Sequence, residues 1–193
     1  MKSRTALLAI AALIILCSYD IPAGWFIAGS KPQSYSMGVD KGAGENGSNA
    51  ATIKSIDKNI TGFGTLMQNC LPTAYAGKRV RMTGVMKSTD VKGWAGLWLR
   101  VDQANSTQSL AFDNMNDRPV KGTTVWTKYE IVLDVPATAS KLAYGALLSG
   151  EGQIWFDNIR FEIVDTTVPT TGRSGEGKSN STFDNPTNLD FEK

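Results

Sequence analysis

The chain has 193 residues, with 20 basic and 18 acidic side chains and a formal net charge of +2. This balance gives no electrostatic basis for nucleic-acid binding, because nucleic-acid-binding domains carry a basic patch. The sequence contains no histidine, which removes the commonest general base and the commonest ligand of zinc or iron. Length and composition therefore predict one domain with tails, and they point away from nucleic-acid binding and from histidine-dependent catalysis.

The first residues have the pattern of an export signal. A basic start precedes the apolar run 6–16, which has the length of a signal-peptide core and is too short for a stable membrane span. We predict cleavage after Ala23, so that residues 1–23 form a signal peptide and the mature protein is periplasmic, secreted or on the outer surface. A lipid anchor at Cys17 is the alternative, but the leucine before it is larger than the small residue that such sites carry.

Residues 24–165 have the pattern of an all-β domain. Apolar and polar residues alternate with a period of two between Gly, Pro, Asn and Asp turns, and no segment keeps apolar residues at helical spacing over three turns. The predicted strands cover residues 35–40, 50–56, 62–70, 78–88, 94–102, 109–115, 127–135, 141–149 and 153–164. Many short strands with regular turn spacing predict an antiparallel β-sandwich jelly roll.

The composition changes after residue 165. Residues 166–187 are rich in Thr, Ser, Gly, Pro and Asn, and such a segment cannot bury enough apolar surface to offset its ordering entropy. We therefore predict a flexible linker there. The chain ends on NLDFEK, residues 188–193, which has the pattern of a short strand segment.

The strand at 94–102 has two different faces. The odd-numbered positions from 95 to 101 are apolar and form a core face, whereas the other face carries Trp94, Trp98, Arg100 and Asp102. Indoles stack on the apolar faces of sugar rings, and guanidinium and carboxylate groups bind hydroxyls through paired hydrogen bonds. We predict a ligand-binding face here. The alternative is structural: both indoles lie in the core, and Arg100 pairs with Asp102 or Asp113.

The polar stretch FDNMNDR follows the next predicted strand. Asn114 and Arg118 are candidate ligand-binding residues at the rim of a pocket, and an Asx turn is the alternative. We expect three other aromatic residues to be structural core residues: Trp25, Trp126 and Tyr129.

Three sequence pieces, taken in their order and spacing, resemble a known family. They are GW (24–25), TTVWTKYEIVLDVP (123–136) and GQIWFDNIRFEIV (152–164). Together they resemble galactose-binding-like jelly-roll carbohydrate-binding modules of the type of families four, nine and twenty-two. Longer pieces resemble an uncharacterised jelly-roll domain of exported bacterial proteins and some transcription regulators. The resemblance implies the jelly-roll fold and a carbohydrate ligand, although a fold does not establish a function.

One departure from the family's pattern suggests a rearranged chain. The family opens with a strand of the form Asn-x-x-Phe-Glu before the Gly-Trp pair, but here that pattern stands at the other end, in residues 188–193. We hypothesise a circular permutation in which this segment is an edge strand; the alternative is the truncated start of a second repeat. The resemblance also implies a structural Ca²⁺ ion, with Asp157 and, if the permutation holds, Glu192 as ligands. Alternatively, Asp157 hydrogen-bonds a turn.

The sequence favours binding over catalysis. It contains no Ser-His-Asp set, no glycine-rich phosphate loop and no zinc spacing, and we expect no enzyme activity; a glycan hydrolase is the weaker alternative. The prediction is an exported, monomeric, non-catalytic module that binds carbohydrate. The alternative is a cell-envelope protein-interaction or architectural domain with no sugar ligand.

Overall fold

The computed structural model describes residues 19–172 and 184–192. Two short 3-10 turns, Pro32–Ser34 and Glu45–Gly47, flank the second strand. The strands are β1 (Phe26–Gly29), β2 (Tyr35–Asp40), β3 (Ala50–Ser55), β4 (Phe63–Cys70), β5 (Lys78–Asp102), β6 (Ser109–Asp113), β7 (Val120–Val135), β8 (Lys141–Ser149) and β9 (Gln153–Val164). In residues 19–172 and 184–192, no helix is both long enough and apolar enough to span a membrane.

The long strand β5 belongs to two sheets. Its first half, residues 78–89, pairs antiparallel with β7 and β9, and β9 continues to β3 and β2. Its second half, residues 94–102, pairs antiparallel with β8 and β6, and β8 continues to β4 and β1. We call β1-β4-β8-β5-β6 the cavity sheet and β7-β5-β9-β3-β2 the opposite sheet. The two sheets enclose one apolar core, which confirms the predicted β-sandwich jelly roll.

The core confirms the predicted inward face of β5. Ala95, Leu97, Leu99 and Val101 are fully buried in the main core cluster with the inward residues of the opposite sheet, among them Met82 and Phe156. Strand alternation therefore turns the even-numbered residues of this half of β5 away from the core. The candidate site lies on that outer face of the cavity sheet.

The strands differ from the predicted ones by more than two residues at three places. The segments predicted at 78–88 and 94–102 form one strand, because register shifts after Met86, Ser88 and Val91 bend the chain without breaking the pairing. The strand predicted at 127–135 begins seven residues earlier, at Val120. Strand β1 was missed, because its four residues are too short for a periodic signal.

The ordered contacts begin before residue 24. Asp20 pairs with Val39 of β2 as an antiparallel bridge, and the backbone N–H of Val39 donates to the carbonyl oxygen of Asp20 at 2.7 Å. Gly38 allows this close approach, because a Cβ there would lie 2.4 Å from the same oxygen. Residues 19–22, which belong to the predicted signal peptide 1–23, thus contact the domain, whereas residues 1–18, which include Cys17 and the rest of that predicted peptide, lie outside the described residues.

The C-terminal segment packs into the sandwich. Phe191 is 1% exposed, and its ring lies 5.0 Å from Trp25 and 5.2 Å from Phe156, centroid to centroid. The backbone N–H of Ile159 donates to the carbonyl oxygen of Leu189. In the described part of the chain, however, residues 188–192 pair with no strand and form a turn. The predicted edge strand is therefore wrong in its secondary structure, because a buried ring and isolated hydrogen bonds hold the segment instead of a ladder.

Residues 173–183, which include half of the predicted linker, lie outside the described residues. The part before them is tied to the domain. The backbone N–H of Thr171 donates to the carbonyl oxygen of Val132, and its hydroxyl donates to Asp113. The first residues after β9 therefore continue along the sandwich.

Candidate functional site

A cavity of about 440 Å³ opens on the outer face of the cavity sheet. It is lined by β1, β4, the second half of β5, β6 and β8, because the outward residues of neighbouring strands lie side by side. The sequence-predicted residues that the structure brings together here are Trp94, Trp98, Arg100 and Asn114. The residues that sequence reasoning missed are Ala28, Gly29, Phe63, Thr65, Met67, Phe112, Leu147 and Ser149.

Trp98 forms the floor of the cavity. Its side chain is held in a small apolar cluster with Met67, Ala143 and Leu147, and only 6% of the residue is exposed. Its indole N–H donates to the Thr65 hydroxyl at 2.8 Å. Because that polar atom is already engaged inside the protein, Trp98 offers a ligand only a small part of its ring.

Trp94 forms the open aromatic wall. It packs against the same small cluster but stays partly exposed at the mouth of the cavity. Between the two tryptophans lies Gly96, and a Cβ there would approach the carbonyl oxygen of Asn114 to 2.9 Å. The missing side chain lets the residues after β6 lie close to β5, so that Asn114 reaches the cavity. Trp94 and Asn114 thus face the same space.

The polar end of the cavity is an ion pair. Arg100 Nη2 donates to Asp102 Oδ2 at 3.0 Å, and Arg100 Nε lies 2.9 Å from Asp102 Oδ1. Lys141 Nζ lies 3.5 Å from Asp102 Oδ2. Asp102 does not line the cavity, and it acts as the charge partner of Arg100. This pairing is the structural alternative that the sequence left open, although Arg100 also lines the cavity.

Arg118 has a structural position. Its guanidinium donates to Asp113 at 2.7 Å, to Asp117 at 2.9 Å and to the carbonyl oxygen of Glu130 at 3.0 Å, and it is absent from the cavity lining. The segment around it contains the expected Asx turns: Asp113 accepts from the Met115 N–H and Asn114 accepts from the Asn116 N–H. Of the two rim candidates, the structure therefore places Asn114 in the cavity and Arg118 outside it.

The other aromatic predictions have mixed outcomes. Trp25 and Tyr129 do pack in or against the core. Trp126 does not: it lies on the outer surface of the opposite sheet, where the Lys87 ammonium sits 5.0 Å from its ring and 4.8 Å from that of Trp155. The reason is strand alternation: Tyr129, Ile131 and Leu133 face the core, so that the even-numbered Trp126 of the same strand faces outward.

The two predicted metal ligands lie in one acidic region beside β9, next to the point where β3 stops pairing with that strand. Asp157 is 1% exposed, and burial followed by the nearby charges of Glu192 and Asp190 raises its carboxyl pKa to about 6. Its Oδ1 accepts from the Asn158 N–H at 2.6 Å, as the alternative turn interpretation expected, and its Oδ2 accepts from the Ser48 hydroxyl at 3.4 Å. Glu192 accepts two hydrogen bonds from Asn49.

This region suits a hard cation in its chemistry. A buried carboxylate in the field of two others would be stabilised by a positive ion, and carboxylate and hydroxyl oxygens are groups that Ca²⁺ accepts. Among the described residues, no three His, Cys, Asp or Glu side chains are grouped as metal ligands. Backbone carbonyls and water would therefore have to supply most of the six to eight oxygens that Ca²⁺ takes.

Cys70 is a free cysteine, fully buried in the core. Burial raises the pKa of its thiol to about 12. A thiol that stays protonated at neutral pH is a poor nucleophile, and the structure thus agrees with the interpretation of Cys70 as a small core residue.

The chain is similar to known proteins both in sequence and in structure. No protein-family model matches the chain. It is 41% identical over 171 residues to a protein of Bacillus subtilis named uncharacterized HTH-type transcriptional regulator YbfP. The match takes in 88% of this chain and 57% of that protein, so the chain spans little more than half of its relative's length.

The structural relatives have the predicted fold. The CBM22-1 xylan-binding domain from Paenibacillus barcinonensis superposes with a TM-score of 0.53 at 13% identity, over 77% of this chain and 91% of that domain. A Stig cyclase from Fischerella sp. TAU gives 0.54 at 15% identity, over 76% and 89%. An enzymatically active domain of a bacteriophage CBA120 tailspike gives 0.55 at 12% identity, over 74% and 20%. The chain therefore has the jelly-roll fold of carbohydrate-binding modules, a fold that enzymes also use.

Proposed function

We propose that this chain is an exported, non-catalytic binding module that takes a carbohydrate on the outer face of the cavity sheet. The observation that carries the proposal is the cavity itself, in which the partly exposed Trp94 faces Arg100 and Asn114. Glycan sites combine a flat aromatic surface for the ring with a few polar groups for the hydroxyls. A jelly-roll relative described as a xylan-binding domain supports the same ligand class.

The proposal assigns different tasks to the lining residues. Trp94 stacks on a sugar ring, and Trp98 supplies a rigid floor because its N–H is held by Thr65. Arg100 and Asn114 donate hydrogen bonds to the ligand. Catalysis is not part of the proposal, since the chain has no histidine and its buried Cys70 thiol stays protonated at neutral pH. The module works as a monomer in this account, because one chain lines the whole cavity.

A glycan-array screen of the purified full chain tests the proposal. The comparison that matters is between Trp94→Ala and Trp126→Ala, two partly exposed tryptophans on opposite sheets. We expect the array signal to disappear with Trp94→Ala and to persist with Trp126→Ala, while circular dichroism shows both variants folded. Silence of the unchanged chain on a broad array would contradict the proposal and favour the envelope interaction domain.

Export and a structural Ca²⁺ ion complete the proposal. The leader pattern in residues 1–23 supports export, and an alkaline phosphatase fusion to the chain tests it. The family resemblance and the acidic region support Ca²⁺, with Asp157 and Glu192 as the side chains that would hold it. The ion would fix the C-terminal segment against β9. Calorimetric titration with Ca²⁺ of the chelator-treated protein tests this part.

A second candidate function is ligand sensing for a regulatory protein. The 41% identity to a Bacillus subtilis protein named as a transcriptional regulator favours it. A screen of the matching region of that protein on the same glycan array distinguishes the two candidate functions. Recognition of the same ligand by both would support a shared sensing role, whereas binding by this chain alone would favour an independent binding module.

A further inference from the structure

The polar end of the cavity carries more positive than negative charge. Two cations, Arg100 and Lys141, share the single carboxylate of Asp102, at 2.9 Å and 3.5 Å. The three side chains are 11%, 19% and 8% exposed. The next carboxylate on β6, that of Asp113, is engaged by Arg118 and Thr171 instead. One positive charge in this cluster is therefore left without a carboxylate partner in the described residues.

The remaining lining does not neutralise this charge. Arg100 is the one charged residue among the described residues that line the cavity, and the rest are apolar or uncharged polar side chains. Asp102 accepts a hydrogen bond from Nη2 of the guanidinium and lies 2.9 Å from Nε, whereas no described residue accepts a hydrogen bond from Nη1. Arg100 is nine-tenths buried. A guanidinium in such surroundings is stabilised by an anion that binds it directly.

We infer that the glycan bound by this cavity is acidic, and that the carboxylate of a hexuronate unit binds Arg100 while its ring stacks on Trp94. The inference rests on the proposed function and adds the substrate class to it. The carboxylate would receive the free Nη1 donor of Arg100 and would balance the excess charge of the Arg100–Lys141 pair. In this account Asp102 contacts no ligand. It orients the guanidinium, and its negative charge lowers the affinity of the site for an acidic glycan.

The experiment compares an acidic glycan with a neutral glycan that has the same length and the same linkages. Binding of oligogalacturonate and of its carboxyl-reduced counterpart to the full chain is measured by calorimetry at low and at moderate salt. We expect the acidic oligomer to bind about tenfold more tightly or better, with a preference that shrinks as salt screens the charges. The variants are Arg100→Gln, Lys141→Gln and Asp102→Asn, with Lys54→Gln as a control that removes one positive charge from β3 in the opposite sheet.

The variants should change the acidic preference in opposite directions. Arg100→Gln should abolish the preference for the acidic oligomer, and Lys141→Gln should reduce it severalfold. Asp102→Asn should increase it, because it removes the competing carboxylate, and Lys54→Gln should leave it unchanged. Equal binding of the two oligomers, or an unchanged preference in both cation variants, would overturn the inference while leaving the proposed function in place. Absence of binding to any glycan would overturn both.

Discussion

The indole N–H of Trp98 donates to the hydroxyl of Thr65 at 2.8 Å, from the middle of β5 to β4 across β8. The same hydroxyl donates to the carbonyl oxygen of Ala146 at 2.7 Å. This chain of hydrogen bonds lies on the outer face of the cavity sheet, yet it is buried. It gives the two tryptophans of one strand face different roles: Trp98 holds the cavity floor in place, and Trp94 remains open to a ligand.

The first prediction separates these roles by stability. Trp98→Ala should lower the free energy of unfolding by about 3–5 kcal/mol, because it empties a packed site, whereas Trp94→Ala should cost about 1 kcal/mol or less. Urea unfolding followed by circular dichroism measures both. Equal losses in the two variants would contradict the assignment of floor and wall. Thr65→Val, which removes the acceptor of the Trp98 N–H, should cost about 1–3 kcal/mol.

The second prediction concerns the C-terminal segment. Phe191→Ala should destabilise the protein by about 3–5 kcal/mol, because the ring is fully buried between Trp25 and Phe156. Deletion of residues 188–193 should have at least the same effect. Thermal unfolding checks this against Asp184→Ala, a change at an exposed position just before this segment. If the deletion leaves the melting temperature unchanged, the segment does not complete the fold.

The third prediction concerns the pH dependence set by Asp157. Its pKa is raised from 3.8 to about 6 in the folded protein, first by burial. The folded state therefore binds a proton more tightly than the unfolded state, and its free energy of unfolding should rise as the pH falls from about 7 to about 4. In chelator, we expect this gain to be on the order of 1 kcal/mol and to be absent in Asp157→Asn.

Ca²⁺ should reverse this trend at neutral pH, because a bound cation stabilises the ionised carboxylate. The measurement is the difference in unfolding free energy between the unchanged chain and Asp157→Asn, taken across the pH range with and without Ca²⁺. Parallel pH profiles in chelator would show that Asp157 is not the titrating group. A lack of any Ca²⁺ effect would remove the ion from the account.

The fourth prediction concerns the residues before Gly24. A chain that begins at Gly24 loses the antiparallel bridge between Asp20 and Val39, whereas a chain that begins at Tyr19 keeps it. The shorter chain should be less stable by about 1 kcal/mol, which lowers the melting temperature by about 2–4 °C for a domain of this size. Identical melting temperatures would show that residues 19–23 contribute nothing to the fold.

Much of the fold could be predicted from sequence, because alternation is a strong signal wherever one strand face is polar. The second half of β5 is an example: its odd-numbered residues lie in the core, and its even-numbered residues 94, 98 and 100 line the cavity. Strand β8 shows the limit. Leu147 and Leu148 are adjacent and both apolar, yet Leu147 lines the cavity and Leu148 lies in the core. Where both faces are apolar, alternation carries no information about which residue meets a ligand.

The other misses have specific physical causes. Trp126 was expected in the core, but it lies three and five residues from the core-facing Tyr129 and Ile131, so strand alternation turns it outward onto Lys87. The position of Asn114 in the cavity depends on the glycine at position 96, which belongs to another strand. Arg100 and Lys141 share the carboxylate of Asp102 because the pairing of β5 with β8 places Lys141 opposite Asp102. The last two are tertiary relationships that no local pattern reports.

The central claim is that the glycan binds on the cavity sheet, and the indole signals of the protein locate it most directly. The chain has five tryptophans, and each gives one N–H signal in a ¹⁵N-edited NMR spectrum. The measurement is a titration with the glycan that binds best on the array. The account predicts that the Trp94 signal shifts most, that the Trp98 signal shifts less, and that the Trp126 and Trp155 signals stay in place. Shifts confined to Trp126 and Trp155 would contradict it.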